Sequence, residues 1–196
     1  MSDLENMITA FQKGRAEYEQ RKNGTLQGSF EVCEIYGADD AQAHEAGRII
    51  LGNNLDYMDH ICKNDKLGRG LQLIYVDPPF FSKSKYHASV VLQSEILGNS
   101  STVKIDAYDD FRASALESYL QMLTTRLFFM RDLLSDTGCI AVHLDWHVAH
   151  YVKILMDEIF GRKNFINEII WNYKSGGTSK KNFARKHDTL LLYGKT

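Results

Sequence analysis

The run LQLIYV at residues 71–76 is apolar at nearly every position and contains β-branched residues that favour strands. A strand that faces water alternates between apolar and polar side chains, whereas a nearly continuous apolar run is typical of a parallel strand covered on both faces. CIAVHL at 139–144 has the same character, and amphipathic helices are predicted before it, at 112–134, and after it, at 147–160. This alternation of strand and helix predicts an α/β fold with a parallel sheet.

Other segments complete the predicted fold. The strands FINEIIWNY, at 165–173, and TLLLYG, at 189–194, are joined by a basic loop and are predicted to form a C-terminal antiparallel hairpin. RIILG at 48–52 is predicted to be a buried strand, and residues 2–22 are predicted to form a helix. Residues 77–110 hold both prolines and many small polar residues, which predicts a long loop without regular structure.

Composition excludes several classes of protein. Three cysteines lie far apart without a C-x-x-C pair, which argues against a disulfide framework and favours a reducing, cytoplasmic compartment. No apolar run approaches the roughly 18 residues that a membrane span requires, so no membrane partner is expected. His143, His147 and His150 are the nearest approach to a metal-ligand pattern, but no cysteine or glutamate completes a tetrahedral set, and no metal site is predicted.

Charge is distributed unevenly along the chain. Residues 161–196 carry eight basic and two acidic side chains, whereas the whole protein has a formal net charge of −2. The basic loop, residues 172–187, interleaves basic and aromatic side chains, a pattern typical of contacts to phosphates and stacked bases. A solvated hairpin loop is the alternative. The candidate polyanion-binding residues of the loop are Lys174, Lys180, Lys181, Arg185 and Lys186.

The only two prolines stand together in Asp77-Pro78-Pro79-Phe80, directly after the predicted strand at 71–76. Two successive prolines fix two φ angles and remove two N–H donors, so the backbone presents carbonyl oxygens beside a carboxylate. Acceptors without donors, next to an aromatic ring, suit a nucleobase that carries an exocyclic amino group. Open α/β sheets bind ligands at the carboxyl ends of their strands, where this tetrapeptide lies. A rigid strand-to-loop turn is the structural alternative.

The tetrapeptide and its surroundings resemble the S-adenosylmethionine-dependent amino-group DNA methyltransferases. Besides D-P-P-F, the matching segments are RIILGNNLDYMDHI at 48–61, LLSDTGCIAVHLDWH at 133–147, ILMDEIFGRKNFINEIIWNYKSGG at 154–177 and KKNFARKHDTLLLYGK at 180–195. They are most similar to methylation subunits of type III restriction–modification systems, in the permuted group whose catalytic motif lies early in the chain. The resemblance implies that Asp77, Pro78, Pro79 and Phe80 form the catalytic pocket. Phe80 would stack on a base flipped out of the duplex.

The resemblance implies further roles outside the tetrapeptide. The loop at 81–110, which holds Lys83, Lys85 and Tyr86, would close over the substrate, double-stranded DNA, which the basic loop would also contact. Asn53 and Asp145, each at a predicted strand end, would approach the cofactor S-adenosylmethionine or order the site. A disordered insertion is the alternative for the segment that holds the two lysines, and a turn or cap role is the alternative for Asn53 and Asp145.

One departure from the family pattern bears on activity. The glycine-rich F-x-G-x-G element that binds the cofactor in the family is not in the sequence. The resemblance therefore implies a partial Rossmann-like methyltransferase sheet whose central cofactor strands are missing from this chain. We expect residues 1–47 to form an N-terminal helical or assembly segment, and residues 48–196 to form the N-terminal part of the catalytic domain. Such a chain should be inactive alone and need the C-terminal remainder of the enzyme or a second subunit, with a restriction subunit as a further candidate partner.

The predicted activity is methylation of the exocyclic amine of adenine in DNA. Three alternatives stay open: the exocyclic amine of cytosine, an RNA or protein-glutamine substrate, and a degenerate DNA-binding module that keeps the fold without catalysis. Methylation at a ring carbon is not expected, because it needs a cysteine nucleophile, typically after a proline, and neither proline here precedes a cysteine.

Overall fold

The computed structural model describes most of the chain. The described residues are 2–25, 28–31, 33, 47, 49–64, 70–79, 81, 85–93, 100–109, 116–174 and 181–196, with the backbone alone in 85–93 and 100–109. The α-helices are α1 (Asp3–Asn23), α2 (Asn54–Asn64), α3 (Leu116–Leu133) and α4 (Ala149–Met156), and α4 continues into a π-helical turn (Asp157–Gly161) and a 3-10 turn (Arg162–Asn164). The strands are β1 (Leu71–Val76), β2 (Lys85–Gln93), β3 (Ser100–Asp109), β4 (Leu134–Leu144), β5 (Phe165–Asn172) and β6 (His187–Gly194). None of the described helices is both long enough and apolar enough to cross a bilayer.

Four strands form one mixed sheet in the order β1-β4-β6-β5, and β2 and β3 form a separate antiparallel pair. β1 and β4 run parallel, with Tyr75 opposite Ala141 and Val76 opposite Val142. β6 runs antiparallel to both β4 and β5. The mixed α/β class and the C-terminal antiparallel hairpin are therefore confirmed. Because β1 and β4 are parallel, their carboxyl ends lie at the same edge of the sheet.

The helices cover one face of this sheet. Ile140, Val142 and Leu144 of β4 point to that face and are fully buried, and Leu191 and Tyr193 of β6 are buried beside them. These side chains join one hydrophobic core with buried residues from all four helices. Successive residues of a strand point to opposite faces, so the residues that alternate with these buried ones lie on the second face of the sheet.

The N-terminal helix belongs to this core. α1 begins with a capping box, in which the Ser2 hydroxyl accepts from the Glu5 N–H and the Glu5 carboxylate accepts from the Ser2 N–H. Ala10 is fully buried, and the Tyr18 hydroxyl donates to the Asp132 carboxylate of α3 at 2.6 Å. α1 is therefore packed along α3, and an assembly role for residues 1–47 stays a prediction.

The second face of the sheet is open among the described residues. Leu73 and Tyr75 of β1 are 60% and 56% exposed, and Ile169 and Trp171 of β5 are 44% and 63% exposed. β1 is also an outermost strand, so its outer edge is unpaired within the described sheet. The expectation that residues 71–76 are covered on both faces is therefore wrong for this chain, because the described helices pack against the other face.

Two other segments differ from expectation. Ile49 and Leu51 are fully exposed and lie outside any strand, so the described residues of 48–52 do not form the predicted buried strand. Residues 77–110 were expected to lack regular structure, but they contain the antiparallel pair β2 and β3. Many residues of these two strands are small or polar, which weakens the strand signal in the sequence.

Gly14 marks a close approach of α1 to α3, and replacing it with alanine is expected to destabilise the protein by about 1–3 kcal/mol. A Cβ atom there would lie 2.7 Å from the Thr124 Cβ and 2.9 Å from the Gln121 carbonyl oxygen. This clash outweighs the roughly 1 kcal/mol that alanine gains over glycine inside a helix. Urea denaturation measures the change, and Gln12→Ala on the exposed side of α1 is the control, with an expected change below about 0.5 kcal/mol. A fully stable Gly14→Ala protein would contradict the close packing.

Candidate active site at the carboxyl edge of the sheet

Asp77 directly follows β1, at the edge that β1 shares with the carboxyl end of β4. Its side chain is 58% exposed, whereas Pro78 is buried and Pro79 is half-buried. The carboxylate is therefore open to a ligand, while the proline beside it is anchored in the protein. Phe80 lies outside the described residues, and its stacking role stays a prediction.

Asp77 belongs to a polar cluster on the open face, formed with Tyr75, His143 and Asp188 and called here the edge cluster. The Tyr75 hydroxyl lies 3.0 Å from Nδ1 of His143, and the same nitrogen lies 3.7 Å from Oδ1 of Asp77. The other ring nitrogen, Nε2, lies 3.4 Å from Oδ2 of Asp188. The side chains of His143 and Asp188 are 19% and 18% exposed, so the ring is largely shielded from water between two carboxylates.

The register of the sheet brings the edge cluster together. Tyr75 and Asp77 are on the open face of β1, and the parallel pairing places His143 of β4 on the same face. β6 pairs His143 with Leu190, so Asp188 is the next β6 residue on that face. Sequence reasoning missed His143 and Asp188 as site residues and considered His143 only as part of a metal-ligand pattern. No local signal marks either residue, because both are distant from Asp77 in the chain.

Asp145 follows β4, and its carboxylate is turned back onto its own turn. The residue is buried, one oxygen accepts the backbone N–H of His147 at 3.0 Å, and the other contacts the Nδ1 of the same histidine. The rings of Trp146 and His147 stack with their centroids 3.6 Å apart. Asp145 therefore orders the turn after β4, and both of its oxygens are engaged there.

Asn53, the other residue predicted to approach the cofactor, stands at the N-terminus of α2. Its Oδ1 accepts the Leu55 N–H at 3.0 Å, and Nη2 of Arg126 on α3 donates to the same oxygen at 3.4 Å. Arg126 also donates to the Asn54 side chain at 2.9 Å, which ties the start of α2 to α3. Asn53 thus caps a helix, and its role toward a cofactor stays a prediction.

The described ends of the basic loop, residues 172–174 and 181–187, lie at the same edge of the sheet as the edge cluster. The hairpin of β5 and β6 continues into the loop through a hydrogen bond from the Tyr173 N–H to the Lys186 carbonyl, at 3.1 Å. The Arg185 guanidinium lies over the Trp146 ring, 4.0 Å from its centroid, which holds this described end of the loop against the turn after β4. Burial, together with the nearby Asp188 carboxylate, raises the pKa of the Tyr173 hydroxyl, which therefore stays uncharged at neutral pH.

The structure describes some of the predicted DNA-binding residues and not others. Three are exposed: Lys174, Lys181 and Arg185. Lys186 is half-buried, whereas Lys83 and Lys180 lie outside the described residues. Lys85 begins β2, but its side chain is not described. The described part of the basic loop therefore places positive charge beside the site, and contact with DNA stays a prediction.

Proteins of known class match much of this chain. A family model described as DNA methylase, of the N6 and N4 type, matches residues 71–196. The type II methyltransferase M.KpnI of Klebsiella pneumoniae is 34% identical over 151 residues, which is 76% of this chain and 32% of the relative. For the type II methyltransferase M.EcaI of Enterobacter cloacae the identity is 35%, over 75% of this chain and 30% of the relative. The StyLTI Mod subunit, from a type III restriction-modification enzyme of Salmonella typhimurium, is 28% identical, over 75% of this chain and 24% of its own length.

The chain belongs to the DNA methylase family, whose members methylate amino groups. Within that family it resembles type II methyltransferases and the Mod subunits of type III restriction-modification enzymes. The resemblance drawn from D-P-P-F and its flanking segments is thereby confirmed, and the mixed four-stranded sheet fits a methyltransferase-like fold. The matched part of the chain spans about a quarter to a third of the length of these relatives.

Proposed function

We propose that this chain carries the catalytic motif of a site-specific DNA methyltransferase, which transfers a methyl group from S-adenosylmethionine to the exocyclic amine of a flipped adenine. The observation that carries the proposal is the position of Asp77, an exposed carboxylate at the end of a parallel strand in a DNA methylase chain. Similarity to type III Mod subunits supports restriction–modification as the setting. The choice of adenine rests on the resemblance stated above.

The chemistry required of the site is activation of a weak nucleophile. The nitrogen of an exocyclic amino group delocalises its lone pair into the ring and therefore attacks an electrophile slowly. Hydrogen bonds from its two hydrogens to the Asp77 carboxylate and the Pro78 carbonyl would favour a pyramidal nitrogen with an available lone pair. The exposure of Asp77 leaves room for this contact. Flipping the base, at a cost of a few kcal/mol, brings the amine out of the duplex.

S-adenosylmethionine would supply an electrophilic methyl group, and we infer that polypeptide outside this chain is needed to bind it. Asn53 caps α2, and both oxygens of Asp145 are engaged by His147. The sequence also lacks the F-x-G-x-G element. We therefore assign the binding of the methyl donor mainly to polypeptide outside this chain. In the part of the chain that is described, no group of three histidine, cysteine or acidic side chains is placed to hold a metal ion.

The open face and the outer edge of β1 are the surfaces that such a polypeptide would cover. The face exposes large apolar side chains, of which Tyr75 and Trp171 are more than half exposed. An unpaired strand edge presents N–H and carbonyl groups that pair with another strand. The C-terminal remainder of the enzyme or a second subunit would therefore complete the sheet beside β1. A restriction subunit is a further proposed partner, because several relatives are subunits of type III restriction-modification enzymes.

The substrate is tested with the chain assembled with the polypeptide that completes it. After incubation with duplex DNA and a labelled methyl donor, the DNA is digested to nucleosides and separated. We expect the label in N6-methyladenine. Label in N4-methylcytosine would show that cytosine, and not adenine, is the methylated base. Label found only in RNA or in protein glutamine would contradict a DNA substrate.

Charge reversal in the basic loop is expected to weaken DNA binding. Each lysine that contacts a phosphate releases counterions from the DNA. The logarithm of the affinity therefore falls with the logarithm of the salt concentration, with a slope proportional to the number of phosphate contacts. Lys181→Glu combined with Lys186→Glu should reduce the slope of log affinity against log salt concentration by about 2. Fluorescence anisotropy with a labelled duplex, at several salt concentrations, measures the slope.

The control for this experiment makes the same charge change at the other end of the strands, away from the carboxyl ends of β1 and β4. Arg162 and Lys163 are exposed and lie just before β5, whose first residue pairs near the C-terminal end of β6. Arg162→Glu combined with Lys163→Glu is expected to leave the slope unchanged. Equal slopes for the wild-type protein and the Lys181/Lys186 variant would contradict a DNA contact by the loop.

A further inference from the structure

We propose that His143, oriented by Asp188, accepts the proton that leaves the methylated amine, by way of the Asp77 carboxylate. The proposal rests on the proposed function, in which Asp77 holds the amine. It gives a role in the reaction to two residues of the edge cluster that no sequence motif marks. The geometry of the edge cluster and the proton balance of the reaction both lead to it.

Methylation of an amine leaves one proton to be removed. When the nitrogen lone pair forms the new N–C bond, the C–S bond of the sulfonium donor breaks, and its electron pair stays on sulfur. The nitrogen then carries the positive charge until one of its N–H bonds breaks. The Asp77 carboxylate, which would accept a hydrogen bond from that N–H, is the first acceptor. Transfer from Asp77 to an imidazole restores the ionised carboxylate that the next amine needs.

His143 supplies an imidazole next to Asp77. Its Nδ1 lies 3.7 Å from Oδ1 of Asp77, a little longer than a hydrogen bond, and catalytic hydrogen bonds are often long before the substrate binds. Nε2 lies 3.4 Å from Oδ2 of Asp188. A carboxylate beside Nε2 favours the neutral tautomer of His143 in which Nε2 carries the proton. The lone pair of Nδ1 is then the acceptor on the side of Asp77.

The Tyr75 hydroxyl is compatible with both the neutral and the protonated ring of His143. Its hydroxyl lies 3.0 Å from Nδ1 of His143, and a hydroxyl both donates and accepts hydrogen bonds. The hydroxyl can turn its own proton away from Nδ1 when Asp77 delivers one, and it then accepts from the Nδ1–H of the protonated ring. The imidazolium then lies between the carboxylates of Asp77 and Asp188. The further titratable group next to Asp188 is Tyr173, which stays uncharged.

NMR of the 15N-labelled 196-residue chain tests the tautomer without any assay of methyl transfer. At mildly alkaline pH, we expect the neutral ring of His143 to carry its proton on Nε2, with Nδ1 unprotonated. Asp188→Leu removes the carboxylate beside Nε2 and is expected to lower the population of this tautomer. The signals of His150, which is exposed on α4, should stay unchanged as the control. A proton on Nδ1 in the wild-type chain would overturn the proposal.

Chemical rescue tests the proton transfer in the chain assembled with the polypeptide that completes it. His143→Ala is expected to lower kcat about 100-fold, with KM for DNA unchanged, and added imidazole is expected to restore much of the lost rate. Asp77→Ala is the control that imidazole should not rescue, because it removes the acceptor of the amine. A His143→Ala enzyme with the wild-type kcat, or one that imidazole does not rescue, would overturn the relay. A wild-type assembly without methyl transfer would contradict the proposed function itself.

Discussion

Replacing Asp77 with alanine is expected to lower the rate of methyl transfer by about 100- to 1,000-fold in the assembled enzyme. Alanine removes the acceptor that would hold one hydrogen of the amine, while β1 and the buried Pro78 stay in place. The affinity for duplex DNA should stay close to that of the wild type, because the basic loop supplies the proposed phosphate contacts. Transfer of a labelled methyl group measures the rate, and fluorescence anisotropy measures the affinity.

Two variants serve as controls for this prediction. Asp77→Asn keeps an acceptor oxygen at the same position and is expected to retain more activity than Asp77→Ala. Asp136→Ala removes an 88% exposed carboxylate near the amino end of β4. It should change neither the rate of methyl transfer nor the affinity for duplex DNA. Wild-type activity in Asp77→Ala would contradict the catalytic role. A wild-type assembly that binds DNA without methylating it would instead favour a non-catalytic module of the same fold.

The 196-residue chain by itself is expected to transfer no detectable methyl group to DNA, which is the largest effect expected for this protein. Asn53 caps α2, Asp145 is engaged in the turn after β4, and the open face of the sheet exposes apolar side chains where a complete domain would bury them. Polypeptide that carries an F-x-G-x-G element, fused to the chain or added as a second chain, is expected to restore transfer. Tritium from a labelled methyl donor, counted on purified DNA, measures it. Detectable transfer by the chain alone would overturn this prediction.

Hydrogen exchange gives a structural measurement of the same assembly. The outer edge of β1 is unpaired in the described sheet, so its outward amides should exchange quickly in the chain alone and slowly once a new strand pairs with them. The amides of β6 are the control, because β6 already has a partner strand on each side. Equal exchange at β1 with and without the completing polypeptide would contradict pairing at this edge.

Much of the fold could be predicted because its signals are local. The predicted strands at 71–76, 139–144 and 165–173 lie within β1, β4 and β5 or extend one residue beyond them, since strand patterning depends on near neighbours in the chain. The D-P-P-F motif located the candidate site for the same reason, because it directly follows β1. β2 and β3 escaped prediction, since many of their residues are small or polar. The catalytic role of Asp77 and the cofactor roles of Asn53 and Asp145 stay predictions.

The edge cluster had no such local signal. Tyr75 and Asp77 are two residues apart, but His143 and Asp188 reach them only through the parallel register of β1 with β4 and the antiparallel register of β4 with β6. Strand register depends on contacts between residues far apart in the chain, so no single segment specifies it. The amino-acid pattern was therefore enough to place most strands and helices and the motif after β1. The exposed face of the sheet and the imidazole between two carboxylates arise from packing in three dimensions, because they depend on which strands pair and which face the helices cover.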